Sequence, residues 1–320
     1  MKRKVALSLM VGMIAGVCFT GTFMADEAEK VVIGCTVQDL SNEFIANMCD
    51  AMIYKVEKDY PDVDLMILDC ESDAQKQIQQ MDSLMSQGVD AIILDPIDAN
   101  ALIPSAKEAL EKGIPVVTLS ADIAEQIGQG VVTSKNPDGG ALAAEWVVEQ
   151  LDGKGNIVIM RGPIGADAEM GRFEGYESVF SEYPDIKIVF DQTGNWSREE
   201  GLSLMENWLQ TGTEINAVVS QNDEMVLGAI QAIKDAGKLE DIVTIGIDGI
   251  YDALNAVKEG ELGATCFQDA IGQAYGALEM AYDCAHGGEL FYNNIPFELV
   301  TTENVDEYYD KINFETYDKE

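Results

Sequence analysis

Polar and aromatic side chains that could bind a small molecule stand directly after short apolar segments of this sequence. The candidates for such contacts are Gln38, Asn42, Phe44, Ser120, Asp122, Arg172, Trp196, Asn222, Asp248 and Gln268. Carboxylates and amides can form paired hydrogen bonds with neighbouring hydroxyl groups, and an arginine adds charge-assisted donors. Aromatic faces supply the apolar walls of a small-ligand pocket. The set therefore indicates binding of a hydroxyl-rich ligand, and Trp196 suits stacking on the apolar face of a sugar ring.

Several of these candidates also have a purely structural explanation, which the sequence leaves open. Asn42 can cap the helix that follows it, and Phe44 can belong to the core. Asp122 can cap a local turn. Asn222 can cap another helix, and Asp248 can be a turn residue.

Arg172 is the cation best placed to bind a ligand. The chain has four arginines, which are Arg3, Arg161, Arg172 and Arg198. We expect a helix over 172–183, and the helix dipole disfavours a cation in the first turn of a helix. A bound acceptor would explain an arginine at this position, and the alternative is a salt bridge to a neighbouring carboxylate.

The sequence shows no set of residues with the pattern of a catalytic or metal site. His286 is the single histidine, which argues against histidine catalysis and histidine-rich zinc sites. Neither GxxxxGK[ST] nor GxGxxG occurs in the glycine-rich run 162–175. Cys284-Ala285-His286 is most simply the last turn of a helix. We therefore expect a protein that is not an enzyme and that uses no cofactor or metal.

The charge balance excludes a nucleic-acid partner. The 320 residues include 20 Lys and Arg against 57 Asp and Glu, a formal net charge of −37. This excess of acid would repel a polyphosphate. Most of the acidic residues fall in predicted helices and near the C-terminus, where we interpret them as a solvated surface. With 47% hydrophobic residues, the chain can bury the cores of two domains of ordinary size.

The first 25 residues have the pattern of a secretory signal peptide. Residues 1–4 are basic, residues 5–23 carry no charge and are mostly apolar, and acidic residues begin at Asp26. Cleavage is expected after Ala25. The alternatives are an uncleaved membrane anchor and lipidation at Cys18. Each leaves the protein exported, in the periplasm or on the outer face of the cytoplasmic membrane.

Apolar segments alternate with helical segments along the rest of the chain, which predicts βαβ units and parallel sheets. The predicted strands are 31–35, 63–68, 91–94, 115–119, 156–160, 186–190, 217–220, 242–247 and 263–267. The predicted helices are 42–58, 73–87, 99–112, 136–151, 172–183, 197–211, 225–236, 251–258 and 271–286, followed by an irregular acidic tail. These elements form two runs of domain size, so we predict an α/β protein with two doubly wound parallel-sheet domains. Such sheets bind ligands at the carboxyl ends of their strands, which puts the candidate residues in a cleft between the domains.

Five cysteines lie beyond the signal segment, at Cys35, Cys49, Cys70, Cys266 and Cys284. Their number is odd, and their spacing shows no CxxC or metal pattern. They can be small buried apolar residues. Cys35 and Cys70 both end predicted strands, so a disulfide, if the protein has one, is expected between them.

Four motifs resemble the periplasmic sugar-binding proteins of ABC transporters, the ribose-binding-protein-like family. They are LSNEF at 40–44, the run 88–99 that contains Asp95-Pro96, QNDEMVLGA at 221–229 and IGIDG at 245–249, within a similarity that covers 30–303. In that family the counterparts of Asn42, Phe44, Arg172, Trp196, Asn222, Asp248 and Gln268 line the cleft.

The resemblance also implies how the chain is divided. It implies a three-segment hinge, with crossings near 134–135, 268–269 and 293–294. The N-terminal lobe would then be 31–134 plus 269–293, and the C-terminal lobe would be 135–268 plus 294–303. Residues 304–320 would form an acidic C-terminal tail.

Two departures from the family pattern concern the ligand. Ribose binders carry an Asp-Arg pair at the position of Ser120-Ala121, and a second phenylalanine where Ile45 stands. The resemblance therefore argues against ribose itself and for another pentose, a hexose, a polyol or a furanosyl ligand. Asp122 is expected to replace part of the missing hydrogen bonding.

The resemblance implies a monomeric solute-binding protein that closes on a monosaccharide-like ligand by a hinge motion and delivers it to an ABC permease in the membrane. The alternative is a sensory module that presents the ligand to a chemoreceptor or a membrane kinase. A transcription regulator with the same ligand domain would need a basic helix-turn-helix at the N-terminus, where the signal segment stands. A nucleotide-dependent enzyme on this fold would need a glycine fingerprint.

Overall fold

Helices and strands alternate along the described chain, as the apolar and amphipathic segments predict. The computed structural model describes residues 30–317, so the predicted signal peptide and Cys18 lie outside the described residues. The first elements are β1 (Val31–Val37), α1 (Glu43–Asp59), β2 (Val63–Asp69), α2 (Ala74–Gln87), β3 (Ala91–Leu94), α3 (Ile103–Glu111), β4 (Val116–Ser120) and β5 (Gly130–Thr133). There follow α4 (Asn136–Gln150), β6 (Gly155–Arg161), α5 (Asp167–Phe180), β7 (Ile186–Thr193), α6 (Arg198–Gln210), β8 (Ala217–Ser220), α7 (Asp223–Asp235), β9 (Val243–Asp248), α8 (Tyr251–Glu259), β10 (Ala264–Phe267) and α9 (Ala270–Ala285). The last elements are β11 (Tyr292–Asn294), β12 (Glu298–Val300), a 3-10 helix (Val305–Glu307) and α10 (Tyr308–Lys311).

The strands form two six-stranded sheets. The order is β11-β5-β4-β3-β1-β2 in the first sheet and β12-β10-β9-β8-β6-β7 in the second. All pairings are parallel except that of β12, which runs antiparallel to β10. Parallel strands end at one edge of a sheet, so the residues that follow them are gathered there. The predicted fold class, two doubly wound α/β domains, is confirmed.

Both faces of each sheet are buried, which explains why the central strands are apolar throughout. In β3, Ile92 and Leu94 pack with α2 and α3, whereas Ile93 packs on the other face with α1 and α9. In β6, Ile159 packs with α4 and α5, whereas Val158 packs with α6 and α7. Within residues 30–317, no helix has both the length and the apolarity needed to cross a bilayer.

The chain passes between the sheets three times before residue 300. It leaves the first sheet after β5 and enters α4, which packs on α5 and β9. It returns after β10 into α9, which packs on α1, β3 and β4. It then adds β11 to the edge of β5 and β12 to the edge of β10. These passages lie at 134–135, 268–269 and 295–297.

The sequence pattern misses some elements and misplaces others. It does not predict β5, β11 or β12, because strands of three or four residues are too short to show a period. It starts α3 at residue 99 instead of Ile103, and α5 at Arg172 instead of Asp167. The predicted irregular tail contains a 3-10 helix and α10, and it buries Val305 and Tyr308.

The expected pairing of Cys35 with Cys70 is wrong. Cys35 lies opposite Ile67 in the parallel register of β1 and β2. Cys70 therefore lies three residues further along, a shift of roughly 10 Å at about 3.3 Å per residue, whereas a disulfide spans Cα atoms less than about 7 Å apart. All five cysteines of the described chain are free, and all but Cys284 are buried. The interpretation of these residues as small apolar core residues is confirmed for the buried four.

Candidate ligand-binding site

A cavity lies between the carboxyl edges of the two sheets. The predicted site residues that line it are Gln38, Asn42, Phe44, Ser120, Arg172, Trp196, Asn222 and Asp248. A wider outer cavity adjoins it and shares Gln38, Asn42 and Trp196. The walls of the inner cavity come from both lobes.

Asn42 and Gln38 are fixed on the N-terminal side by their neighbours. The side chain of Asn42 caps α1 by accepting hydrogen bonds from the backbone N–H groups of Phe44, at 2.9 Å, and Ile45, at 3.4 Å. Asn42 can therefore cap α1 and also contact a ligand. Gln38 Nε2 donates to Asp95 Oδ1 at 2.7 Å. Asp95 is fully buried, and its burial raises the pKa of this carboxyl to about 7, although the bonds from Gln38 oppose the shift.

Arg172 is held at the floor of the cavity by four acceptors. Its Nε donates to Asn136 Oδ1 at 3.3 Å, its Nη2 donates to Gln268 Oε1 at 2.7 Å, and its Nη1 donates to the Gln221 carbonyl. Asp248 Oδ1 lies 3.6 Å from Nη1. The guanidinium is therefore fixed in place before any ligand arrives.

The predicted position of Arg172 within its helix is wrong. Because α5 begins at Asp167, Arg172 lies in the second turn and not in the first. The dipole argument therefore does not apply to it. The residue is still exceptional, because only 4% of its surface is exposed and a buried arginine requires this full set of partners.

Asp248 is a buried carboxylate beside this arginine. Burial raises its pKa well above the usual range, the Arg172 charge lowers it, and the neighbouring Asp223 raises it again. Asp223 is itself occupied, because it accepts hydrogen bonds from the N–H groups of Gly249, at 2.7 Å, and Ile250, at 3.2 Å, and from Thr265 Oγ1 at 2.8 Å. Asp248, which lines the cavity, is thus the carboxylate of this pair available to a ligand.

Trp196 forms an aromatic wall that needs a glycine behind it. A Cβ at Gly162 would lie 2.1 Å from Cζ2 of Trp196, so the indole rests directly on the backbone at this position. The centroid of the indole lies 5.6 Å from Cζ of Arg172. Asn222 Nδ2 donates to the Trp196 carbonyl at 3.3 Å, while Asn222 Oδ1 accepts from Met225 N at 3.0 Å and caps α7.

Strained backbone is concentrated at the cavity. Ser120, Trp196 and Asp248 have positive φ angles of 65°, 62° and 134°, a region that costs a non-glycine residue about 1–3 kcal/mol. All three line the cavity. Such strain persists where the surrounding structure fixes the conformation, and it is typical of binding sites.

Gln268 and Asp122 do not line the cavity. Gln268 lies behind Arg172, and its Nε2 lies within 3.4 Å of Ser120 Oγ in the other lobe. Asp122 accepts hydrogen bonds from Thr118 Oγ1 at 2.9 Å and from its local turn, including Gln126 Nε2 at 2.9 Å. The structure thus shows the local-turn alternative for Asp122, and its role toward a ligand stays a prediction.

Five lining residues were not among the predicted site residues. They are Ile45, Ala121, Ala166, Asp167 and Ala168. Asp167 is the polar member of this group, and it belongs to the first turn of α5. The signal that could have found it is the start of that helix, because an acidic residue is favoured at a helix N-terminus.

The described chain shows no cluster that suggests catalysis by a metal. No group of three or more His, Cys, Asp or Glu side chains within residues 30–317 is arranged to hold a metal ion. His286 Nδ1 lies 2.8 Å from the Tyr282 carbonyl, beyond the end of α9, so Cys284-Ala285-His286 is the helix end that the sequence predicts.

Comparisons with known proteins agree with this geometry. The family profile described as a periplasmic binding protein domain matches residues 33–289. The chain is 36% identical to the xylitol-binding protein of Mycolicibacterium smegmatis, over 94% of this chain and 86% of that protein. It is 33% identical to the ribose import binding protein RbsB of Bacillus subtilis, over 81% of this chain and 83% of that protein. An ABC transporter solute binding protein from Bacillus halodurans, solved with bound myo-inositol, superposes with a TM-score of 0.86 at 39% identity, covering 90% of this chain and 99% of that chain.

Proposed function

The chain belongs to the periplasmic sugar-binding proteins of the ribose-binding family, and we propose that it is the solute-binding protein of an ABC importer. Members of this family work outside the cytoplasm. The relatives named above are binding proteins and not enzymes. The ligand in this proposal is a neutral polyhydroxylated molecule that is enclosed by hinge closure of the two lobes and passed to a membrane permease.

The observation that carries the proposal is the buried Arg172–Asp248 pair at the floor of a cavity with walls from both lobes. Paired donors and acceptors on one floor match the vicinal hydroxyl groups of a sugar or polyol. Amides from both lobes, at Gln38 and Asn222, add further hydrogen-bonding groups. The indole of Trp196 supplies the flat apolar surface that the C–H face of such a ligand requires.

We favour a sugar alcohol or a cyclic polyol over ribose as the ligand. Ser120-Ala121 stands where ribose binders have an Asp-Arg pair, and no arginine of the described chain other than Arg172 lines the cavity. The relatives named above include a xylitol-binding protein and a solute-binding protein that holds myo-inositol.

A thermal-shift screen of the mature protein tests this proposal. The panel contains myo-inositol, xylitol, D-ribose and D-glucose, with citrate as an unrelated anionic control. A ligand at a hundredfold excess over its Kd stabilises the folded state by about 2.7 kcal/mol, which raises Tm by several degrees. We expect at least one polyol to raise Tm and citrate to leave it unchanged. A flat response to the whole panel would contradict the proposal.

A further inference from the structure

The first residue of α5 has a role that the sequence comparison with ribose binders does not suggest. Resting on the function proposed above, we propose that Asp167 is a specificity-determining residue that selects neutral, donor-rich ligands over anionic sugars. It would do so by presenting a second carboxylate to the cavity and by joining the two lobes around the ligand.

Asp167 is an acceptor held between the lobes. It belongs to the C-terminal lobe, and its Oδ2 accepts a hydrogen bond from Asn136 Nδ2 at 2.9 Å. The backbone of Asp122, in the N-terminal lobe, lies close to this carboxylate, and Ser120 and Ala121 just before it line the same cavity. Asp167 therefore reaches the turn that follows β4, at the place where ribose binders have their Asp-Arg pair. The acidic group at this end of the cavity therefore belongs to the C-terminal lobe, whereas the pair of the ribose binders belongs to the N-terminal lobe.

The charge of the cavity follows from this placement. Asp167 and Asp248 both line it, and Arg172 is the one guanidinium that does so among the described residues. Arg172 already has Asp248 as a partner at 3.6 Å. A ligand carboxylate or phosphate would therefore find no unpartnered cation among the described lining residues, whereas ligand hydroxyl groups can donate to the Asp167 side chain.

Asp167→Asn tests the proposal, because it keeps the shape of the side chain and removes the charge. Titration calorimetry would use myo-inositol and xylitol as neutral probes and D-glucuronate as the anionic probe. We expect the Kd of the better neutral probe to rise at least tenfold. We also expect discrimination against glucuronate to fall, which a merely structural residue would not cause.

Asp138→Asn is the matched control, because Asp138 is exposed on α4 and loses the same charge. It should bind every probe as the wild type does. A change of less than threefold in Kd for Asp167→Asn, with discrimination unaltered, would overturn the role of Asp167. Failure of the wild type to bind either neutral probe would instead overturn the proposed function.

The segment 305–317, here called the strap, leads to a second inference, which does not depend on the role of Asp167. It begins on the C-terminal lobe, where Tyr309 Oη donates to Asn255 Oδ1 of α8 at 2.9 Å and Lys311 Nζ lies 2.7 Å from Glu298 Oε2. It ends on the N-terminal lobe, where the ring of Phe314 lies 5.0 Å from that of Tyr54 in α1. The strap is thus a fourth connection between the lobes.

The end of the strap is also tied to the hinge. Tyr317 Oη donates at 2.5 Å to Asp269 Oδ2, and Asp269 caps α9 immediately after the second passage of the chain. Lys311 and Ile312 line a small gap together with Phe44 and Asp248. The strap therefore lies directly behind the residues of the candidate site.

We infer that the strap limits how far the lobes open. Small-angle X-ray scattering of the ligand-free protein tests this without any ligand. Deletion of residues 304–320, or Phe314→Ala where the deletion does not fold, should increase the radius of gyration. Phe291→Ala removes an exposed ring outside the strap and is the control that should leave it unchanged. An unaltered radius of gyration in a folded strap variant would overturn the inference.

Discussion

At the scale of single residues, the candidate site is a set of groups whose positions are fixed by other protein atoms. Arg172 is bound by backbone and side-chain acceptors, Gln38 by the buried Asp95, and Trp196 by Gly162 and Asn222. A site fixed in this way loses little side-chain entropy when a ligand binds. The binding geometry should therefore be sensitive to residues that never touch the ligand.

Arg172→Lys should weaken ligand binding although it keeps the positive charge. An ammonium group cannot reproduce the planar set of bonds to Asn136, Gln221 and Gln268. The expected loss is on the order of 2 kcal/mol, or roughly 30-fold in Kd. Titration calorimetry measures it. Unchanged affinity in a folded Arg172→Lys variant would contradict the assignment of Arg172 to the ligand.

Gly162→Ala should displace the indole of Trp196. The added Cβ would meet the ring at 2.1 Å, so the ring or its loop must move. We expect about a fivefold weaker affinity, because the aromatic wall is worth on the order of 1 kcal/mol. The quenching and wavelength of Trp196 fluorescence, measured in a protein with Trp146 and Trp208 replaced by Phe, should change with it. Unchanged fluorescence and affinity would disprove the contact.

At the scale of elements, the sequence predicts the strands that are buried along their whole length. It misses the features that depend on packing between elements. Strand β8 matches the predicted bounds, because four apolar or small residues in a row indicate a central strand. The start of α5 is missed because Ala166 supplies no side-chain cap, and the acidic residues of the first turn, Asp167 and Glu169, are a weak signal in so acidic a chain. Asp167 is missed for this reason, whereas Asp122 is predicted because it follows a strand. Which of two aspartates faces a cavity depends on contacts between lobes, and those are not visible in a local pattern.

Helices α4 and α5 pack at backbone distance, and this packing positions Arg172. A Cβ at Gly140 would lie 2.1 Å from the carbonyl oxygen of Arg172, and one at Gly175 would lie 2.3 Å from that of Pro137. Gly140→Ala should therefore cost about 1–3 kcal/mol of folding free energy and also weaken ligand binding. Urea unfolding and calorimetry measure the two effects. A stable variant with normal affinity would show that α5 tolerates the shift.

At the scale of the whole molecule, the acidic side chains affect folding stability more than they affect which ligand binds. The chain carries a formal charge of −37, and burial raises the pKa of Asp95 to about 7 and that of Asp223 to about 6. Each of these carboxyls binds a proton more tightly in the folded state than in the unfolded state. Folding stability therefore decreases as pH rises from about 4 to about 7, and it is not regained above that range.

The unfolding free energy should accordingly be larger at pH 5 than at pH 8, by a few kcal/mol. Urea unfolding of the ligand-free protein at both values measures it. In Asp95→Asn, which cannot ionise at this position, the difference between the two pH values should shrink. Equal or greater stability of the wild type at pH 8 would contradict the burial of these carboxyls.

The most direct test of the account is titration calorimetry of the mature protein with myo-inositol, xylitol and D-ribose, repeated with Arg172→Ala. We expect saturable binding of one molecule per chain for at least one polyol. We also expect weaker or no binding of ribose, and loss of the signal in the Arg172→Ala variant. Absence of binding for all three compounds, or undiminished binding in the variant, would contradict the claim that this cavity holds a neutral polyol on the Arg172–Asp248 pair.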